Sequence, residues 1–330
     1  AIDCANSTTS TNDLIDLNGQ TITLTVTSGD VAGETGLVSV YSPITIQNGT
    51  ITRTGSNQFR LLGVNLNGNL TLRDMTLTNG GGSTYGDGGG LVYAASGSTL
   101  TIIRSTLTNA VGSTGSSGGA IFASGALTIV NSTVSGNQGG RGGAITAQNG
   151  PVTITNSVIS GNVATNTTSS GGGAMFLASI TVNDVRIINS TITGNYATGT
   201  GTARAGGIVG DSSNGADLFI INSVVWGNSN NGGAAPQIVN AASNATNTAT
   251  NSIIQGGLFG ALDSDPLFTT PLTASATPST AGSFALQNNS PAIDAGANAD
   301  VPADTYDVNG NSNTSENAPD RAYATGRYND

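Results

Sequence analysis

Apolar and polar residues alternate along this chain in short bursts that begin again every few tens of residues. Aligned, the bursts give a nine-residue unit: ITIQNGTIT from Ile44, LTLRDMTLT from Leu70, LTIIRSTLT from Leu100, LTIVNSTVS from Leu127, VTITNSVIS from Val152, VRIINSTIT from Val185, LFIINSVVW from Leu218 and NTATNSIIQ from Asn247. The starts are separated by 26, 30, 27, 25, 33, 33 and 29 residues. Each unit alternates, bends at its fifth position and alternates again, the period-2 signature of two half-buried strands. No helical period competes with it. A third short strand is expected to follow each pair after a glycine-rich connection: GGGLVYA from Gly88, GGAIFA from Gly118, GGAITA from Gly142, GGAMFLA from Gly172 and GGIVG from Gly206. Three strands per coil of this length predict an all-β chain wound as a right-handed parallel β-helix, in which each coil pairs with those above and below it.

The fifth position of the unit is Asn48, Asp74, Arg104, Asn131, Asn156, Asn189, Asn222 and Asn251. Its asparagines are expected to stack as a ladder of side-chain amides. Asp74 and Arg104 share that position in adjacent coils, about 4.8 Å apart by strand spacing, and are expected to form a structural ion pair in place of two asparagines. A second series, Asn79, Asn109, Asn137, Asn162, Asn195 and Asn228, suits a tight bend in which asparagine tolerates left-handed geometry. The predicted organisation is a β-helix over residues 1–255, with first coils over 1–43 and regular coils over 44–255. A loop-rich segment rich in proline, aspartate and asparagine follows over 256–330, as a C-terminal cap or arm. The stretch DLIDLNGQTITLTVTSG from Asp13 is already strand-like. No amphipathic capping helix is expected at this end, which leaves an open N-terminal edge.

Composition narrows the partners. The 330 residues include 48 glycines, no histidine and no lysine, only 8% are charged, and the net charge is −10. Phosphate binding needs clustered basic residues, so nucleic acid is an unsuitable partner. No run of 18 or more apolar residues exists to span a membrane. The chain starts at Ala1, and removal of a secretory signal peptide is the expected reason. Cys4, the one cysteine, reads as a free or intermolecular thiol. Sequons at Asn6, Asn48, Asn69, Asn131, Asn166, Asn189 and Asn244 are what a chain rich in Asn, Ser and Thr contains by chance.

The GGAI motifs at 118–121 and 142–145, paired with VSGN, ISGN, ITGN and VWGN, resemble the repeats of polymorphic outer-membrane proteins, with Val, Ile or Trp where those favour Phe. DSDPLF at 263–268, FALQNNSPAIDAG at 284–296 and YDVNGNSNTSENAPDRAYATG at 306–326 are similar to the ends of secreted bacterial right-handed β-helix proteins of the choice-of-anchor Q type. The resemblance implies a parallel β-helix and an extracellular or cell-surface location, and leaves the chemistry open.

Parallel β-helices include polysaccharide lyases and hydrolases, but function has to be argued from a site. A lyase needs a basic residue beside Ca²⁺ held by carboxylates, and a hydrolase a cluster of aspartates. The helical region offers Asp74, Asp87, Asp184, Asp211 and Asp217 at different repeat positions, so no acid–base constellation is expected and no catalytic residue is assigned. Asp307, Asn309 and Asn311 alternate around a glycine, a spacing able to turn oxygens toward Ca²⁺. A polar Asx-rich turn is the other reading. The expected function is that of a secreted, non-enzymatic structural protein that self-assembles through its solenoid ends into a surface layer or filament. The alternative is an adhesin or glycan-binding β-helix.

Overall fold

A computed structural model of the chain describes residues 1–7, 12–30, 33–82, 88–115, 117–178, 185–199, 204–210, 216–231, 236–240, 245–307 and 313–316. Nearly all the regular structure in them is parallel β, stacked as a solenoid. The first half of each unit pairs in register with the first half of the next, so that Leu100, Leu127, Val152, Val185 and Leu218 form one row. Ile102, Ile129, Ile154, Ile187 and Ile220 form the row beside it. The second halves give a third row, Leu77, Leu107, Val134, Ile159, Ile192 and Val225. All of these side chains are buried, so the apolar half of these alternations fills one continuous interior. Stacking identical positions makes each coil the packing partner of the next, which is why a repeated sequence suffices for a core.

The third strands form a separate seven-stranded sheet running from Leu62–Val64 through Val92–Ala94, Ile121–Ala123, Ile145–Gln148, Met175–Ala178 and Ile208–Gly210 to Ile238–Asn240. The paired glycines before it are required by close approach. A Cβ on Gly118, Gly142 or Gly172 would collide with the carbonyl oxygen of Ile121, Ile145 or Met175, and one on Gly119 or Gly143 with a carbonyl of the next coil. The GG of each GGA motif is therefore a backbone-packing requirement. A fourth element escapes the sequence pattern: the two-residue strands Gln138–Gly139, Val163–Ala164, Tyr196–Ala197 and Ser229–Asn230 form a four-stranded sheet of their own.

The bends carry the polar order. All eight fifth-position residues, from Asn48 to Asn251, adopt left-handed backbone with φ between 46° and 57°. The residue after each of the later ones is a serine that builds a buried ladder. Ser105, Ser132, Ser157, Ser190 and Ser223 each donate their backbone N–H to the hydroxyl of the serine in the next coil at 3.0–3.1 Å, ending at Ser252. Each of these hydroxyls donates in turn to the carbonyl two residues back in its own coil, at 2.7–2.8 Å. Backbone groups that the bend removes from the sheet are thereby satisfied.

The two ends differ. At the N-terminal end Ile2–Asn6 is a short helix that buries Ile2 and Ala5 against the core. Asn6 fastens it, donating from Nδ2 to the Ser39 carbonyl at 2.7 Å and accepting from the Tyr41 N–H at 2.8 Å. The expectation of no capping helix is thus corrected. With only Ile2 and Ala5 to mark its face, a five-residue helix is too short for periodicity to register. At the C-terminal end Leu258, Phe259 and Ala261 cover the core, and Leu262 exchanges backbone hydrogen bonds with Ile254 and Ser252 at 3.0 Å. The chain then returns along the solenoid, beginning with the antiparallel pair Phe268–Thr270 and Ser283–Leu286. Among the described residues no helix is long and apolar enough to cross a membrane.

Candidate functional site

The two asparagine series exchange the parts the sequence predicts for them. Asn48, Asn131, Asn156, Asn189, Asn222 and Asn251 do stack: the N–H groups of Asn131, Asn156, Asn189 and Asn222 each bond a carbonyl of the next coil at 3.0–3.1 Å. What selects asparagine there is the left-handed backbone, which most residues avoid. Three of these amides are used outside any ladder. Asn48 donates to Asp16 at 2.9 Å, Asn251 reaches Asp300 at 3.5 Å, and Asn222 makes a two-way pair with the backbone of Ala297 at 2.9 and 3.0 Å.

The amide ladder runs through the second series. Asn137, Asn162 and Asn195 each send both backbone N–H and side-chain Nδ2 to the Oδ1 of the next asparagine at 2.8–3.0 Å. Asn228 does the same to Oε1 of Gln237, which closes the row. All five side chains are buried. The positive φ of this turn belongs to the preceding Gly136, Gly161, Gly194 and Gly227, at 62–69°. Asn79 and Asn109 are themselves left-handed, as expected.

Asp74 and Arg104 form the expected ion pair, with Nε to Oδ1 at 2.7 Å and Nη2 to Oδ2 at 2.6 Å. The Asp74 carboxylate, outweighing partial burial, holds the Arg104 guanidinium above its ordinary range. The returning chain uses this pair as an anchor: Arg104 Nη1 donates to the Asp307 carbonyl at 3.1 Å, and Arg73 Nη1 to that of Tyr306 at 3.4 Å. Of the Ca²⁺ candidates, Asp307 therefore presents its backbone oxygen to an arginine, while Asn309 and Asn311 lie outside the described residues. No group of three acidic, cysteine or histidine side chains is placed to hold a metal among the described residues. Asp217 accepts the Thr246 N–H, and Asp87, Asp184 and Asp211 fall outside the described residues.

The first coil presents the other distinctive surface. Asp13–Asp16 and Thr21–Leu24 pair in parallel with opposite ends of Pro43–Arg53, and among the described residues no strand pairs with their other edges. Leu14 is 61% and Val26 64% exposed, and Ile22, paired with buried Ile51, keeps 36% exposure at the end of the core. Asp16 is held as a carboxylate below its usual range, first by Gln47 Nε2 at 2.7 Å, then by the Asn18 N–H at 2.8 Å and Asn48. Cys4 is exposed on the adjoining helix. Neither a protein-family model, nor a curated protein, nor a solved structure matches the chain.

Proposed function

We propose that this chain is a non-enzymatic, extracellular structural protein that self-associates through the N-terminal end of its solenoid. The observation that carries the reading is the asymmetry of the ends. The first coil has strand edges paired on one side only, with Leu14, Ile22 and Val26 exposed around them. Among the described residues Ile238–Asn240 and Asn247–Thr250 of the last coil are also paired on one side only, but there Leu258, Phe259 and Ala261 pack over the core and Leu262 bridges Ile253. Unpaired edges offer main-chain donors and acceptors ready for another strand. With the exposed apolar side chains concentrated at the N-terminal end, the favoured contact joins two N-terminal ends about a two-fold axis and closes on itself, so a layer or filament needs a second contact elsewhere. The described part of the C-terminal segment is engaged by its own solenoid at Asn222, Arg104 and Arg73, which argues against its exchange between copies. The likeness of the GGAI and DSDPLF motifs to polymorphic outer-membrane and choice-of-anchor Q proteins supports the extracellular placement within this proposal. Cys4 supplies the test. A short bismaleimide should link two copies through Cys4 in high yield, and Cys4→Ser should abolish linkage while leaving the dimer intact. Absence of linkage in a sample shown to be dimeric would reject N-terminal pairing.

A further inference from the structure

We infer that the cleft between the last coils and the returning C-terminal segment is a binding site for a neutral glycan, with Trp226 as its stacking platform. Trp226 ends the strand Val224–Trp226, in which Val225 is buried and its two neighbours are half-buried, so the indole belongs to the outer surface of the solenoid. It lines an open cleft of about 950 Å³ whose far wall is built by the returning segment, including Asp265, Thr269 and Gln287. That volume suits a small ligand or a few sugar rings. The far wall is held in place: the Ser279 N–H bonds the Gly161 carbonyl at 2.9 Å, and Leu272 lies against Gly194, where a Cβ would strike its side chain.

Three polar side chains of the same lining each keep one group for a ligand. Gln255 uses Oε1 to accept the Gly227 N–H at 3.0 Å, leaving its amide NH₂ as a donor. Gln287 uses Nε2 on the Phe268 carbonyl at 3.0 Å, leaving Oε1 as an acceptor. Asp265 accepts the Leu267 N–H on Oδ1 at 2.9 Å, leaving Oδ2. An aromatic side chain with a donor and two acceptors in the same cleft lining suits a pyranose ring, whose apolar C–H face stacks while its hydroxyls bond in the ring plane. Among the described residues no arginine lines the cleft and one carboxylate does, and the whole chain carries −10. Uronic acids, sulfated sugars and nucleotides are disfavoured on that ground.

Because Trp226 is the only tryptophan, its fluorescence reports on this cleft alone. The intact protein is titrated with cellohexaose, mannohexaose and chitohexaose, with hexagalacturonic acid as the charged counterpart, and binding is confirmed by calorimetry. At least one neutral hexasaccharide should shift the emission saturably and the charged one should not. Trp226→Ala should weaken the calorimetric affinity about ten-fold or more. Trp226→Phe, which keeps a ring and guards against misfolding of the alanine variant, should retain most of it, and Gln255→Ala should weaken it without altering the fold. Neither tryptophan substitution should change the N-terminal association, so the two readings fail separately. The inference is overturned if no neutral sugar perturbs Trp226 at millimolar concentration, if the charged sugar binds as well, or if Trp226→Ala binds as the intact protein does.

Discussion

At the scale of single residues, the lesson lies in two asparagine series that look alike in sequence and do different work. Asn189 sits at φ 49° because asparagine tolerates that backbone. Asn162 is fully buried, and its side chain receives two hydrogen bonds from Asn137 and donates to Asn195 and two carbonyls. The difference predicts opposite tolerances. Asn189→Gly should be nearly neutral, since glycine accepts left-handed backbone without penalty, and Asn189→Ala should cost about 1–2 kcal/mol. Asn162→Ala should cost on the order of 1–3 kcal/mol for each buried group it leaves unpaired. Denaturant titration of the three variants checks this. Equal losses for Asn162→Ala and Asn189→Gly would contradict the assignment. Position alone could not separate the series beforehand, because spacing shows that a residue repeats and not whether its backbone or its amide is the reason. The serine ladder was within reach: a serine follows the bend at 105, 132, 157, 190, 223 and 252.

At the scale of elements, strands of three or more residues were legible wherever alternation or a GGA prefix marked them. The two-residue strands such as Val163–Ala164, the helix Ile2–Asn6 and the pair Phe268–Thr270 with Ser283–Leu286 were not, being too short or placed by tertiary contact. The first coil also carries a prediction of its own. Asp16 is fastened to the next coil by Gln47 and Asn48, with its folded pKa below the ordinary 3.8. A depressed carboxylate contributes stability that is present above pH 3.8 and is lost as pH falls through the folded value. Hydrogen exchange, corrected for intrinsic rates, should show residues 13–16 and 44–48 losing protection below about pH 3.8 in the intact protein. In Asp16→Asn that step should vanish. Unchanged protection of this coil across the acid range would contradict the role given to Asp16.

At the scale of the whole molecule, a stack of near-identical coils has one interior and two ends, and the ends decide what it meets. The interior was legible because each coil repeats the same inward rows, such as Ile129, Ile154 and Ile187. The closing of one end by Leu258 and Phe259 was not, since these residues lie outside the repeat. Nor was the cleft at Trp226, which exists only because the returning segment comes back to face it. The surface is acidic overall and Asp13 and Asp16 lie in the open-edge strand, so pairing of two N-terminal ends has to overcome like-charge repulsion that salt screens. Sedimentation equilibrium over a wide concentration range, at low and at moderate salt, therefore decides whether the N-terminal ends pair. The intact protein should be dimeric, more tightly so as salt rises, and Leu14→Glu with Val26→Glu, both on exposed positions, should leave a folded monomer. An intact protein that stays monomeric throughout, or a dimer indifferent to those two substitutions, would contradict it.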